Sequence, residues 1–413
     1  MKTTFNLHFY NLLFKPTPTH NQSGPARENQ KLNIFKYFSA KLFRLSKAFF
    51  SILRCPFLEK NKILFFNHSQ RTRKNKDLSR SPLYLNEEVF NQNLFHFIDN
   101  HTKKIPFYHK PKAILNSSHI DELFSILGIP SRILNKFKKK SLTQNELYFS
   151  FKTKLWAILL RILKPKKIIF VVWYAYQPII AAAKKIGIPT IDLQHGAIHD
   201  GHDFYYIKQL DSTLLNNCTL PDSCWVYGNY WKEKLINAGW HEDKIKNFGY
   251  YLNVTSTNTE IYSPYILYTT SISANKKETL DHINSIINEV THRNLQIIIS
   301  PHPHENPNDY KDILSNVIKL SEKDSYELLK NCQVHISAFS TLLWEGLYFN
   351  KPTYILNFDT YKNNYPYLEE LIKNNLARPI TKGQFPELFK SENNLEISDY
   401  FSTPVNKNLI YTA

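Results

Sequence analysis

Three histidines and two aspartates fall within nine residues of one stretch, Gln194-His195-Gly196-Ala197-Ile198-His199-Asp200-Gly201-His202-Asp203. Imidazole changes charge near neutral pH, and a carboxylate beside it can fix its tautomer, so such a stretch suits proton transfer or anion binding. Gln194, His195, Gly196, His199, Asp200, His202 and Asp203 are the candidate residues for that work. The spacing fits no common set of metal ligands and the chain has no HExxH, so no metal is expected. The plainer alternative is a polar loop with an internal His–Asp hydrogen bond.

Two further stretches carry the same kind of polar density. Ser300-Pro301-His302-Pro303-His304-Glu305 follows the apolar run Leu295 to Ile299, and Ser337-Ala338-Phe339-Ser340-Thr341 follows Gln333 to Ile336. Ser340 or Thr341 can cap a helix that begins at Leu342, where free N–H groups and the positive dipole end would favour a phosphate. Glu345, one turn in, could reach a ribose hydroxyl. His302, His304, Ser337, Ser340, Thr341 and Glu345 are therefore the candidate binding residues for a phosphorylated ligand.

The elements that position these residues follow from hydrophobic patterning. Short β-branched runs ended by Pro or Gly read as strands buried on both faces. They cover Ile63 to Phe66, Ile168 to Tyr174, Thr190 to Leu193, Cys224 to Tyr227, Ile245 to Phe248, Tyr265 to Tyr268, Leu295 to Ile299, Gln333 to Ser337 and Pro352 to Leu356. Helical patterns fall between them, at Gln177 to Ile186, Asn229 to Ala238 and Lys276 to Val290. Residues 84 to 162 and Tyr365 to Phe389 read as mostly helical. Strand–helix alternation of this kind gives an α/β fold with parallel sheets, and in such sheets ligands sit beyond the carboxyl ends of the strands. All three polar stretches fall there.

The chain has 413 residues, enough for two Rossmann-like domains with parallel sheets facing a central cleft. The expected division is a poorly ordered 1–30, a first α/β domain over 31–255 that includes the basic helix, a second over 260–395 and a tail over 396–413. Asn253 to Ser263, rich in Asn, Thr and Ser, reads as the linker. Hydrophobic residues at 42% exclude a wholly disordered chain, and the four cysteines show no CxxC, so reduced structural thiols are expected.

The net charge of +17 is compatible with nucleic acid, an anionic membrane or a phosphorylated substrate as partner. From Lys31 to Arg54 the sequence has an apolar helical stripe and six basic residues without an acid. That pattern suits an anionic membrane interface or an ordinary covering helix. Most of its aromatics lie on the apolar stripe, so nucleic acid is not the expected partner. Lys167 to Ala183 is too short between its lysines to span a bilayer, and Met1 to Phe14 has no sustained apolar core for a signal peptide.

Taken together, the QHG loop, the His302-Pro303 loop and the Ser-x-x-Ser-Thr helix start resemble bacterial glycosyltransferases of the two-Rossmann, GT-B architecture that build capsule and lipopolysaccharide. Bacterial sialyltransferases carry similar HP and Ser/Thr motifs, and CDP-glycerol glycerophosphotransferases similar HG and HP motifs. The resemblance covers Lys167 to Phe358. It implies transfer of a sugar from a CMP-, CDP-, UDP- or GDP-linked donor to a hydroxyl of a saccharide or glycolipid, without metal or resident cofactor. Such an enzyme would be cytoplasmic, or peripheral on the inner face of the cell membrane. His302 would contact the donor's phosphate or base, Ser340 and Thr341 its phosphate, and Glu345 its ribose. His195 matches the HG histidine of the glycerophosphotransferases. The sialyltransferases' acidic motif finds only His199-Asp200-Gly201 here, so the base stays open between His195 and Asp200. The alternatives are a CDP-glycerol-type glycerophosphotransferase, a sugar-nucleotide epimerase, and a non-enzymatic basic membrane or nucleic-acid binder.

Overall fold

The structure is a computed structural model. It describes residues 45, 46, 48–50, 52, 53, 55–66, 95–99, 115, 116, 120, 123, 144–199, 205–208, 219–250, 264–271, 276–302, 305–321, 325–388, 396–403, 405, 406 and 408–411. Two parallel sheets organise the chain. The first holds β1 (Ile63–Phe66), β2 (Phe95–Asp99), β3 (Leu115–Asn116), β4 (Ile168–Val171), β5 (Thr190–Leu193), β6 (Ser223–Val226) and β7 (Ile245–Asn247), in the order β3-β2-β1-β4-β5-β6-β7. The second holds β8 (Tyr265–Thr269), β9 (Gln296–Ser300), β10 (Ile318–Leu320), β11 (Val334–Ser337), β12 (Thr353–Leu356) and β13 (Arg378–Ile380), in the order β10-β9-β8-β11-β12-β13. Each order runs outward one way from its first strand and then reverses, the doubly wound pattern. The chain is thus an α/β protein of two Rossmann-like lobes.

The helices that cover these sheets are α1 (Gln144–Leu163), α2 (Gln177–Lys185) and α3 (Asn229–Asn237) in the first lobe. The second lobe has α4 (Lys276–His292), α5 (Ser325–Asn331), α6 (Leu342–Tyr348), α7 (Phe358–Tyr361) and α8 (Tyr367–Lys373). Strands such as ILFF, IIFV and TYIL are buried at every position, which is why each reads as an unbroken apolar run.

Four strands differ from the sequence expectation, and one of them, β10, falls between the His302 loop and Gln333 where no strand is expected. β2 and β3 lie inside the region read as helical; a strand of five residues is too short for periodicity to separate it from a helical turn. β13 lies inside the other helical reading, because its Pro379 suggests a break. Pro379 is tolerated where it stands because β13 is the sheet edge, paired with β12 alone. A further difference is length: β4 stops at Val171, not Tyr174, because Val172 turns to φ 72°.

The tail returns to the first lobe. The backbone N–H of Tyr250 donates to Ser402 O at 2.9 Å, that of Ser402 to Tyr227 O at 2.8 Å, and that of Asn406 to Phe248 O at 2.7 Å. Gly228 makes this possible, since a Cβ there would stand 2.2 Å from the Asp399 carbonyl oxygen. Val405 and Ile410 complete the apolar layer formed by Ile63, Phe65, Ile169 and Trp225. One continuous core also joins the lobes, running from Leu64, Phe170 and Trp231 to Leu343, Trp344 and Leu368. Trp344 of α6 meets Trp231 of α3 at 5.0 Å between ring centroids. Beside them Tyr230 donates to Glu370 at 3.0 Å, and Lys234 pairs with the same carboxylate.

Candidate functional site

In a doubly wound sheet the ligand crevice opens where strand order reverses. In the second lobe that point lies between β8 and β11. Register sets Ser337 level with Thr269, and Thr269 level with Ser300, so three small polar residues end neighbouring strands together. Ser337 is buried and its hydroxyl donates to Thr269 O at 2.7 Å. It therefore braces the strand ends, where the sequence reading puts it at the ligand. Thr269 Oγ1 meets His335 Nε2 at 2.8 Å, and burial holds that imidazole neutral by pushing its pKa down to about 3.

Beyond β9 the His302 loop is tied by Glu305. Its Oε2 accepts the backbone N–H of His302 at 2.8 Å and the hydroxyl of Thr270, while Oε1 accepts Tyr310 Oη at 3.1 Å. The carboxylate thus holds the backbone of His302, whose side chain is half-buried at the strand end. His304 lies outside the described residues. The next strand end, at β11, gives the Ser340 turn. Ser340 Oγ accepts the N–H of Leu342 at 3.2 Å, whereas Thr341 is exposed and makes no side-chain cap bond. Ser340 is thus the residue that caps α6. Close packing of α6 on β12 requires Gly346, since a Cβ there would lie 2.6 Å from Thr353 Oγ1.

Glu345 is 5% exposed and accepts hydrogen bonds from Tyr250 and Tyr326, each at 3.2 Å. Tyr250 follows β7 and Tyr326 lies on α5. The carboxylate expected at a ribose therefore ties the two lobes together.

The first lobe positions its loop from behind. Gln194 is buried; its Oε1 accepts the N–H of Tyr227 at 2.8 Å and its Nε2 donates to Gly196 O at 2.8 Å. It shapes the loop from inside the fold. His195, half-buried, packs near Tyr174 at 6.4 Å, and Tyr174 packs on Tyr205 at 6.4 Å. Tyr205 donates to Asp192 Oδ2 at 2.7 Å, and the N–H of Trp173 donates to Asp192 Oδ1 at 3.0 Å. Burial raises the Asp192 carboxyl to about 7, against the pull of those two donors. The same bond to Trp173 holds the turn at Val172, whose φ of 72° costs a β-branched residue on the order of 1–3 kcal/mol. This strained turn stands at the first lobe's own reversal point, between β1 and β4. Asp200, Gly201, His202 and Asp203 lie outside the described residues.

The two loops meet through one aromatic residue. His199 lies 5.1 Å from the ring of Tyr367 on α8, and Tyr367 donates its hydroxyl to Phe339 O, next to Ser340. Phe339 stacks on Tyr365 at 4.2 Å with the planes 6° apart. The structure thus brings His199, and the loop it shares with His195, to the turn that carries Ser340. Sequence reasoning missed Asp192, Thr270, Glu305 and Tyr367. Only Glu305 left a legible sign, as a carboxylate three residues after a histidine that ends a strand.

No family model matches the chain, and no curated protein matches it. Among solved structures it is similar to the UDP-GlcNAc 2-epimerase from Methanocaldococcus jannaschii, with 15% identity and a TM-score of 0.49 over 86% of this chain and 99% of that one. The UDP-GlcNAc 2-epimerase from Neisseria meningitidis bound to UDP-GlcNAc gives 15%, 0.48, 86% and 98% in the same order. CalG4, the calicheamicin glycosyltransferase, gives 10%, 0.43, 78% and 86%. Likeness at this distance carries no argument about activity; the strand orders above establish the architecture by themselves.

Proposed function

We propose that the chain is a glycosyltransferase that moves a sugar from a nucleotide-activated donor to a hydroxyl of a saccharide or glycolipid. The observation that carries this reading is the contact of His199 with Tyr367, which sets a histidine loop of one lobe against the capped turn of the other. Transfer needs two substrates side by side, and two facing strand-end loops supply a side for each.

In this reading the donor phosphates lie at His302, Ser340 and Thr341, and His195 or Asp200 takes the proton of the acceptor hydroxyl. Charge grows on the leaving phosphate as the glycosidic bond breaks, so fixed donors there stabilise the transition state more than the bound substrate. Glu305 sets the His302 loop in place beforehand, and Glu345, steadied by Tyr326 in its own lobe, holds the lobes together through Tyr250.

The test is turnover of a panel of CMP-, CDP-, UDP- and GDP-sugars with and without added saccharide acceptors. Transfer that depends on acceptor, and falls about a hundredfold in His302→Ala, is expected; loss of one such donor costs on the order of 3 kcal/mol in the barrier. Conversion of the donor sugar to an epimer without acceptor would replace this reading with an epimerase. Turnover of CDP-glycerol alone would replace it with a glycerophosphotransferase.

A further inference from the structure

Large apolar side chains stand in solvent at few places among the described residues, and four of them belong to two helices of the first lobe. Residues 45, 46, 48–50, 52 and 53 are helical. Ala48 is buried and Ile52 packs on the core shared with Trp156, Leu160 and Leu163 of α1, so this helix rests on the lobe by one face. Its other face exposes Phe49 by 53%, Phe50 by 64% and Leu53 by 51%. On α1, Ile158 is 53% exposed, with exposed Lys154 and Arg161 one turn to either side of it. Burying two phenylalanines and a leucine would be favourable, yet the fold leaves them outward.

Charge says what surface they suit. Between residues 31 and 62 the sequence holds eight Lys or Arg and one acid, Glu59, which already pairs with Lys62. Lys60, Lys164 and Lys166 are exposed nearby in sequence to the same two elements. A protein partner matched to this face would need an apolar patch ringed by acids. An anionic bilayer offers both properties at once: acyl chains for Phe49, Phe50 and Leu53, and phosphate headgroups for the cations. No helix among the described residues is long and apolar enough to cross a membrane. The contact is therefore one of resting on the surface.

We infer that the helical segment around Phe49, Phe50 and Leu53, with the Lys154-Ile158-Arg161 stripe of α1, docks the protein on an anionic lipid surface. The inference is independent of the transferase reading, since it needs neither donor nor acceptor. Nucleic acid fits less well, because the aromatics here stand with aliphatic neighbours on the outward face.

The test is co-sedimentation of the full chain with vesicles of phosphatidylcholine, with and without phosphatidylglycerol, at low and high salt. The expected result is binding to the anionic vesicles only, weakened by salt. It should fall at least about tenfold in Phe49→Ser/Phe50→Ser/Leu53→Ser, with a thermal unfolding midpoint like that of the wild type because these side chains are exposed. Lys154→Glu/Arg161→Glu should weaken it by a similar factor, at about fivefold for each cation lost. Three results would overturn the proposal: no binding to anionic vesicles at low salt, binding that survives the triple substitution, or displacement of the vesicles by duplex DNA or RNA bound through the same residues. If removing residues 1–43 is what first allows vesicle binding, the face is covered by the chain's own N-terminus, and the proposal also fails.

Discussion

The two lobes share a strand order but brace their loops in different ways. In the first lobe the braces lie behind the loop and inside the fold: Gln194 spans from Tyr227 to Gly196, and Asp192 holds Trp173 and Tyr205. In the second lobe the brace is part of the loop, where Glu305 gathers His302, Thr270 and Tyr310. The buried ionisable groups differ as well. The first lobe buries a carboxyl raised to about 7, and the second buries two imidazoles, His282 and His335, lowered to about 4 and about 3. A repeated topology therefore does not imply a repeated response to pH or to substitution.

The largest effect is expected where the lobes join. Trp344→Ala removes the ring that fills the space against Trp231, Tyr230 and Tyr400, and should cost about 3–5 kcal/mol in a denaturant titration. A loss under about 1 kcal/mol would mean that the lobes do not depend on this contact.

Acidification should next separate the lobes. His282 and His335 are neutral in the fold, so their contribution is complete above pH 6.5 and is lost as pH falls through 6.5 toward 4 and 3. Asp192 has the opposite sign: folding favours its protonated form, so stability falls as pH rises from 3.8 to about 7. Each group contributes a slope of up to about 1.4 kcal/mol per pH unit. Between pH 6.5 and 4.5, amide protection measured against each amide's intrinsic exchange rate should fall in β8, β9 and β11 and rise in β4, β5 and β6. Asp192→Asn should flatten the response of the first lobe and leave that of the second.

Within the second lobe, Glu305→Gln keeps the size of the side chain and removes its charge. With weaker acceptors for His302 and Thr270, donor binding should weaken by about 1–3 kcal/mol in a titration, while Gln194→Ala should leave donor affinity unchanged and lower acceptor turnover. The smallest effect belongs to Ser340→Ala, which loses the cap bond to Leu342 and should cost about 1 kcal/mol of stability.

Much of this arrangement was legible before any coordinates. Ile63–Phe66 stands where the patterning puts it, because a strand buried on both faces reads as an unbroken apolar run. That His302 and His195 end parallel strands was legible for the same reason. β2, β3, β10 and β13 were not, since two to five residues carry too little periodicity and Pro379 argues against a strand until its edge position is known. The braces were hidden for a different reason. Ser337 looks like a ligand group in sequence, and only register with Thr269 reveals that its hydroxyl turns inward. Glu345 sits on a suitable helix turn, but its partner Tyr250 comes from 95 residues away. Contacts of that separation depend on how the lobes meet, and no local pattern encodes them.

The most direct measurement is the thermal unfolding midpoint in the presence of CMP, CDP, UDP or GDP, with the wild type beside His302→Ala. At least one nucleotide should raise the midpoint of the wild type and leave that of the variant unmoved, because a ligand bound only by the folded state stabilises it. No shift with any of the four, or the same shift in both proteins, would contradict a nucleotide site at the carboxyl edge of the second sheet.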